Sequence, residues 1–281
     1  MQEVLLTSRP MTKIVDFDQH RDTLRYKVHI VRTKDDLRRE MARILSNNVG
    51  IFKGTEASRF VTFGSCFANN VADHLRGRGA SVFTTFVTED VNSPSNNVLL
   101  LRKVFNGVDS PFTDELRDIT GVDYSQLCDE FKQADHVIFT LGNIFRLVGD
   151  GGCPVISRAG TTLVRESFDE TMSAIREILA TLNRLKAKIY VSVSPIPISG
   201  YRGTEFRTAL EADCASKCQL VAAVRSFGGF TYIPTFEIFR WLPAHQEFST
   251  FGEDAQNARH IYRGHIAMVM DLLMGQEAKR A

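Results

Sequence analysis

Hydrophobic and polar positions along the chain predict repeated strand–helix units from residue 59 onward. Short segments of mostly apolar residues predict five strands, at residues 59–64, 81–86, 136–141, 188–193 and 230–233. Between them, apolar residues recur at helical spacing, as at Ala68, Val71, Ala72 and Leu75. The segment 136–141 is apolar almost throughout, which is typical of a central parallel strand buried on both faces. This alternation favours an α/β domain with a parallel sheet and helices on both faces.

Two segments depart from the alternating pattern. Residues 1–58 form a predicted N-terminal extension, with a short strand near 27–31 and a helix over 34–45 capped by Thr33. Residues 145–165 are rich in glycine and predict an irregular insertion that could contain a hairpin. The last helix is expected over 259–274. The sequence therefore predicts an extension, 1–58, and one α/β domain, 59–281.

Composition narrows the class of protein. The chain has 281 residues, 43% of them hydrophobic, and a net charge of +1, which is ordinary for a globular protein. This charge does not indicate the basic surface that is typical of nucleic-acid-binding proteins. No apolar run approaches the roughly 18 residues of a membrane span, and the N-terminus lacks the apolar core of a secretory signal. A cytoplasmic protein is therefore expected. The five cysteines indicate free thiols, and we predict no metal site and no dinucleotide or nucleotide cofactor.

The end of the first strand carries the strongest candidate chemistry. Gly64 allows a sharp turn, and Ser65 and Cys66 then lie between the carboxyl end of a strand and the amino end of a helix. Open α/β sheets bind ligands at that edge. A thiol at a helix amino end ionises more readily than a free one, so Cys66 is a candidate nucleophile.

Other predicted strand ends lie at the same edge. Gly142 and Asn143 follow the third strand, and His260 is expected at the start of the last helix. A nucleophile needs a base within hydrogen-bond reach, and the base needs a group to orient it. His260 is the candidate base, with Asn257 or Asp254 to orient its ring. Backbone N–H groups after Gly64, together with the side chains of Asn96 and Asn143, are candidates for an oxyanion hole.

These motifs resemble a known family. The run Gly64-Ser65-Cys66-Phe67-Ala68 reproduces the signature of the GSCFA family. The resemblance extends over about residues 59–275, through the segments Ser93-Pro94-Ser95-Asn96, Thr140-Leu141-Gly142, Val193-Ser194-Pro195-Ile196-Pro197, Ser216-Lys217, Tyr232-Ile233-Pro234-Thr235-Phe236-Glu237 and Arg259-His260. The family resembles the SGNH (GDSL-type) hydrolase superfamily. That resemblance implies a flavodoxin-like three-layer α/β/α sandwich with a parallel five-stranded sheet, and hydrolase or acyl-transfer chemistry.

The superfamily's sequence blocks imply residue roles and also show departures. Cys66 falls at the nucleophilic serine and Ser65 where an aspartate usually lies. Gly142 and Asn143 fall near the Gly-x-Asn block, offset by one residue. In the terminal Asp-x-x-His block the histidine is His260, and Asn257 replaces the aspartate. A cysteine nucleophile tolerates that replacement better than a serine, because a thiolate needs less help from a base.

The leading hypothesis is an SGNH-like acyltransferase or esterase. It would act on carbohydrate or polysaccharide hydroxyls through an acyl intermediate on Cys66, with His260 as general base and acid and with acyl-CoA as a possible donor. A non-catalytic binding module and a Ser65-dependent esterase remain alternatives. At single positions the simpler interpretations are packing for Cys66, helix capping for His260, and turn chemistry for Asn96 and Asn143.

Overall fold

The computed structural model describes residues 31–55, 57–86, 92–156, 160–252 and 259–275. Its central sheet has five strands: β1 (Arg59–Gly64), β2 (Ser81–Phe86), β3 (His136–Leu141), β7 (Lys188–Val193) and β8 (Thr231–Tyr232). A second sheet has three strands: β4 (Phe145–Val148), β5 (Pro154–Val155) and β6 (Thr162–Arg165). The strands of the central sheet match the segments that the apolar pattern predicts.

The central sheet is parallel and doubly wound. Its spatial order is β2-β1-β3-β7-β8, and every neighbouring pair runs parallel. Numbered along the chain, these five strands have the order 2-1-3-4-5, which is that of the flavodoxin-like fold. The predicted fold class is confirmed. The direction of winding changes between β1 and β3, where folds of this type bind their ligands.

Two helical layers cover the sheet. One face carries α1 (Lys34–Leu45), α2 (Cys66–Gly77) and α8 (Arg263–Leu273). The opposite face carries α3 (Pro94–Asn106), α4 (Pro111–Thr120), α5 (Tyr124–Gln133), α6 (Phe168–Leu182) and α7 (Ala209–Arg225). Successive strand residues alternate between the two cores, so Phe60 stacks on His136 in one and Phe63 stacks on Phe139 in the other.

The described part of the N-terminal extension packs on the first of these faces. Helix α1 begins with a capping box in which Thr33 and Asp36 exchange hydrogen bonds of 3.0 and 3.1 Å. Its apolar stripe and the buried ring of Phe52 join the core formed by α2 and α8. Of the strand predicted near 27–31, only Val31 lies within the described residues, and it forms a single bridge to Gln246.

Helices α4 and α5 are separate because Gly121 takes the left-handed conformation and ends α4. Two local predictions differ from the structure. The insertion at 145–165 forms the antiparallel sheet β5-β4-β6. The last helix begins at Arg263, because the residues before it pair with an extended segment through Tyr262 N to Thr250 O, at 3.0 Å. No helix within the described ranges combines the length and apolarity needed to cross a bilayer.

Candidate active site

The turn after β1 places Ser65 and Cys66 beside β3. Gly64 has φ +118°, and a Cβ atom there would lie 2.0 Å from the carbonyl oxygen of Thr140, so only glycine lets the two strands approach so closely. Ser65 donates from its backbone N–H and from its hydroxyl to Thr140 Oγ1, at 3.0 and 3.1 Å. Cys66 is the first residue of α2. The serine hydroxyl is therefore held against β3, and the thiol follows it at the amino end of the helix.

A cavity of about 180 Å³ lies at this edge of the sheet. Its lining residues are Ser65, Cys66, Asn92, Gly142, Ser194, Ile196, Pro197, Ile198, Lys217, Arg259 and His260. We call it the Cys66 cavity. Cys66 and His260 are both half-buried in its wall. The structure thus brings together four residues predicted from the sequence: Ser65, Cys66, Gly142 and His260.

His260 reaches the cavity from an extended segment. The segment is paired in antiparallel fashion, with Gly252 N donating to His260 O at 2.9 Å. The expectation that His260 starts the last helix is wrong, and helix capping is therefore no explanation for it. Asn257 and Asp254, the residues predicted to orient its ring, lie outside the described residues.

Asn143 and Asn96 do not line the Cys66 cavity. Asn143 is buried, and its Oδ1 accepts a hydrogen bond of 2.7 Å from Phe145 N. It lines a neighbouring cavity instead, because a step of one residue along an extended chain turns a side chain to the other side. Asn96 is fully buried as the third residue of α3. Their predicted contribution to an oxyanion hole therefore stays a prediction.

Asn92 lies where the predicted asparagines were expected. It is fully buried in the cavity wall, and its Nδ2 donates to Thr140 O at 3.2 Å while its Oδ1 accepts from Asn97 Nδ2 at 2.9 Å. A Cβ atom on Gly142 would lie 2.6 Å from Asn92 Nδ2, so Gly142 is needed for this packing. In the sequence Asn92 belongs to a loop rich in turn-forming residues. An asparagine is expected in such a loop, so the sequence did not single out Asn92 as a residue of the site.

Lys217 is a further residue of the site that sequence reasoning missed. It lies on α7, is 1% exposed, and its Nζ donates to the carbonyl oxygen of Gly142. A lysine on a helix usually indicates a solvated surface. The available signal was its spacing, since Asp213 and Leu220 lie four residues before it and three after it on the buried face of α7.

The loop at residues 195–198, which follows β7, forms one wall of the cavity and is held by three charged side chains. Asp213 Oδ1 accepts from Ile198 N at 3.1 Å. Arg240 donates to Pro195 O at 3.3 Å and forms a 2.8 Å ion pair with Asp213. Arg259 donates to Pro197 O at 2.7 Å. These contacts fix the loop relative to Cys66. We call it the β7 loop.

The charge of the cavity favours negative groups. Lys217 and Arg259 bring basic side chains to the cavity, and no carboxylate is found among the described residues that line it. A thiolate and the oxyanion of an acyl-transfer reaction are the negative species that this arrangement would stabilise. No group of three or more His, Cys, Asp or Glu side chains suited to a metal ion occurs within the described ranges.

Comparison with known proteins places these residues in a family context. The sequence model of the GSCFA family matches residues 105–271, which is more than half of the chain. The signature at residues 64–68 precedes the matched range. No curated protein matches the chain. Among solved structures, a GDSL-like lipase from Bacteroides thetaiotaomicron is similar, with 12% identity and a TM-score of 0.41, over 83% of this chain and 95% of that chain.

Proposed function

Because the chain belongs to the GSCFA family, and because its signature cysteine shares a cavity with a histidine, we propose that it is an acyl-transfer enzyme acting through Cys66. The observation that carries the proposal is the common cavity of Cys66 and His260 at the edge of the sheet where β1 and β3 end. The amino end of α2 and the cations around the cavity favour a thiolate there. His260 is the proposed general base and acid.

The reaction proceeds in two half-reactions. His260 takes the thiol proton, and the sulfur of Cys66 attacks the carbonyl carbon of an ester or thioester donor to form a C–S bond and a tetrahedral oxyanion. The oxyanion collapses, the bond to the leaving group breaks, and that group takes the proton from His260. An acceptor hydroxyl or water then gives its proton to His260 and attacks the thioester carbonyl carbon. The C–S bond breaks, and the departing sulfur of Cys66 takes the proton back from His260, which restores the thiol.

Lys217 and α2 support the charged species. The N–H groups of the first helical turn and the Lys217 ammonium are the proposed stabilisers of the oxyanion. Gly142, whose carbonyl oxygen binds Lys217, sets the position of that ammonium. We extend the proposal to carbohydrate or polysaccharide hydroxyls as acceptors and to acyl-CoA as a possible donor.

A Ser65-dependent esterase is the second candidate, because Ser65 lines the same cavity. Its hydroxyl, however, donates to Thr140 Oγ1, which directs the proton toward β3. Cys66 is the first residue of α2 and lies at the wall of the cavity. The hydrogen bond from the Ser65 hydroxyl to β3 favours Cys66 as the nucleophile.

The test is the intact-protein mass after incubation with p-nitrophenyl acetate and with a panel of acyl-CoAs. We expect a hydroxylamine-labile acyl adduct on the wild type and on Cys153→Ala, and none on Cys66→Ala. Cys153 is an exposed free cysteine and provides the matched control. His260→Ala should acylate roughly 10²- to 10⁴-fold more slowly, the usual range for loss of a general base.

Two results would contradict the proposal. An adduct on both Cys66→Ala and the wild type, lost in Ser65→Ala, would establish the serine esterase. No adduct and no ester turnover at any pH would leave a binding module on an enzyme-like fold.

A further inference from the structure

A second cavity, of about 340 Å³, lies beside the Cys66 cavity. Ile198 lines both, and the consecutive residues Gly142 and Asn143 line one each. One side of the second cavity is the inserted sheet, through Phe145 on β4 and Leu163 on β6. The other side is the chain that continues from the β7 loop. The two cavities are therefore adjacent and share Ile198 in their walls.

Buried apolar side chains form much of the wall of the second cavity, together with the buried amide of Asn143. Phe145 and Ile198 are 6% and 7% exposed. The ring of Tyr201 lies 5.3 Å from that of Phe145 and 5.4 Å from that of Phe206, measured between centroids. Aromatic packing of this kind keeps the walls in place without a ligand. The cavity is also within the size range of small-molecule sites.

The outer part of the second cavity carries a positive charge. Arg202 is exposed and is the one charged side chain among the described residues that line the cavity. A guanidinium group binds carboxylate, sulfate and phosphate groups through paired N–H donors. The cavity therefore changes from apolar at Ile198, near the reactive thiol, to cationic at Arg202, near solvent.

We propose that the second cavity is a substrate subsite for an apolar chain that ends in an anionic group. The apolar chain lies against Phe145, Leu163 and Ile198, and the anionic group binds Arg202. Its use in catalysis rests on the proposed acyl transfer at Cys66, whereas its occupancy by such a ligand does not. An apolar chain fits the apolar part of the wall because each methylene group that leaves water there increases the affinity of the ligand for the cavity.

The binding test uses 8-anilinonaphthalene-1-sulfonate, an apolar dye with one anionic group, and full-length Cys66→Ala. We expect one saturable site that is weakened at least fivefold by an added Arg202→Gln and abolished by Leu163→Trp. Arg207→Gln, which changes an exposed arginine outside the lining, is the matched control. Leu147→Trp, on the residue paired with Leu163, is the second filling variant if Leu163→Trp fails to fold.

Competition identifies the chemical class of the ligand. We expect hexyl sulfate to displace the dye and methyl β-D-glucopyranoside to leave it bound. Absence of saturable binding, equal affinity in the Arg202→Gln variant, or displacement by the glucoside alone would overturn the proposal. The last result would identify a polar sugar subsite instead.

Turnover separates this proposal from the proposed function. On the Cys66 enzyme, kcat/KM for p-nitrophenyl hexanoate should exceed that for the acetate by roughly fourfold for each methylene group buried. Leu163→Trp should remove the preference. Dye binding as expected without turnover of any ester would overturn only the acyl-transfer function. Turnover of acetate without a chain-length preference, in a protein that binds no dye, would overturn only the subsite.

Discussion

Lys217 is a buried basic side chain in the wall of the Cys66 cavity. Removing an ammonium group from water costs several kcal/mol, so it must gain hydrogen bonds and favourable charge in return. Its Nζ donates to Gly142 O, the carbonyl at the end of β3, and its side chain lines the Cys66 cavity. In the proposed acyl transfer, a negative charge at Cys66 would supply the other part of the compensation. Under that proposal, the position of Lys217 couples the end of β3 to the charge state of the thiol.

Replacement of Lys217 by methionine tests this coupling. Lys217→Met keeps the length of the side chain and removes a positive charge from the cavity, which disfavours the thiolate. We expect the midpoint of the pH profile for alkylation of Cys66 by iodoacetamide to move to higher pH, by roughly one unit. Lys188→Met, which changes an exposed lysine at the start of β7, should leave the midpoint in place. A folded Lys217→Met protein with the wild-type profile would contradict the role.

Gly64 tests the close approach of β1 to β3. Gly64→Ala would place its Cβ 2.0 Å from Thr140 O in a backbone conformation with φ +118°. We expect a loss of stability on the order of 4 kcal/mol or more, seen as insoluble protein or a much lower Tm. Gly54→Ala has a positive φ of +75° but open space around it, and should cost only about 1 kcal/mol. Equal losses in the two variants would show that backbone conformation, and not the contact with Thr140, decides the effect.

The candidate nucleophile and base were predictable from sequence, whereas parts of their surroundings were not. Cys66 follows a clearly apolar strand, and the pattern of apolar residues predicts where such a strand ends. Asn143 was assigned to the same site because it also follows a strand, but the direction of a side chain after a strand end depends on local backbone torsions. Lys217 was missed because a charge on a helix gives no sequence signal of burial unless its neighbours are weighed.

At the scale of elements, the inserted sheet is the part that the pattern did not resolve. Its strands have four, two and four residues, which is too short for a period of two to show. Gly149, Gly151 and Gly152 between them indicate turns and little else. The sheet nonetheless forms one side of the second cavity. The longer strands of the central sheet carry enough apolar residues to be predicted to within a residue or two.

The β7 loop depends on the ion pair between Arg240 and Asp213. The Asp213 side chain is 2% exposed, and Arg240 also binds the carbonyl oxygen of Pro195. Arg240→Met leaves a buried carboxylate without its cation, so we expect a loss of about 3 kcal/mol in the free energy of unfolding. Arg225→Met removes a pair between the exposed Arg225 and the half-buried Glu237, and should cost less than about 1 kcal/mol. Urea denaturation measures both, and a cost for Arg240→Met no larger than for Arg225→Met would contradict the role of the pair.

At the scale of the whole molecule, Glu166 joins the inserted sheet to the central domain. Its backbone N–H donates to Ile144 O at 2.8 Å, its carbonyl oxygen accepts from Gln219 at 2.9 Å, and its Oε1 accepts from Ser95 N at 3.0 Å. Burial raises the pKa of this carboxyl above its ordinary value of 4.5. The folded protein thus holds the proton more tightly than the unfolded chain does. Its contribution to stability must fall as the pH rises from 4.5 through the raised pKa.

The pH dependence of unfolding tests this link. Glu166→Gln keeps an acceptor for Ser95 N and cannot ionise, so it should gain stability relative to the wild type as the pH rises above 4.5. Glu170 provides a control of opposite sign, because the backbone N–H of Ser167 lowers the pKa of its carboxyl. Glu170→Gln should be less stable than the wild type at neutral pH, and the difference should vanish in acid. Parallel stability curves for wild type and Glu166→Gln would contradict the burial effect.

The topology of the molecule was predictable because it follows from repeated β-α units and right-handed crossovers. The position of the N-terminal extension was harder to predict. Its cap and apolar stripe predict the helix at Lys34–Leu45, but they do not show which elements that helix packs against. Phe52 illustrates this, because it lies in a segment without a regular pattern and yet packs edge-on against Phe60 and Tyr190. Long-range contacts of this kind cannot be predicted from a local sequence pattern.

The sharing of Ile198 by two cavities has a thermodynamic consequence. Asp213, Arg240 and Arg259 hold the β7 loop, and Ile198 of that loop lines both cavities, so a ligand that moved Ile198 toward either cavity would change the shape of the other. The two occupants are then linked, and the factor by which one alters the affinity of the other must be identical in both directions. A molecule that cannot react, seated in the larger cavity, would thereby act as an effector of whatever binds beside the thiol.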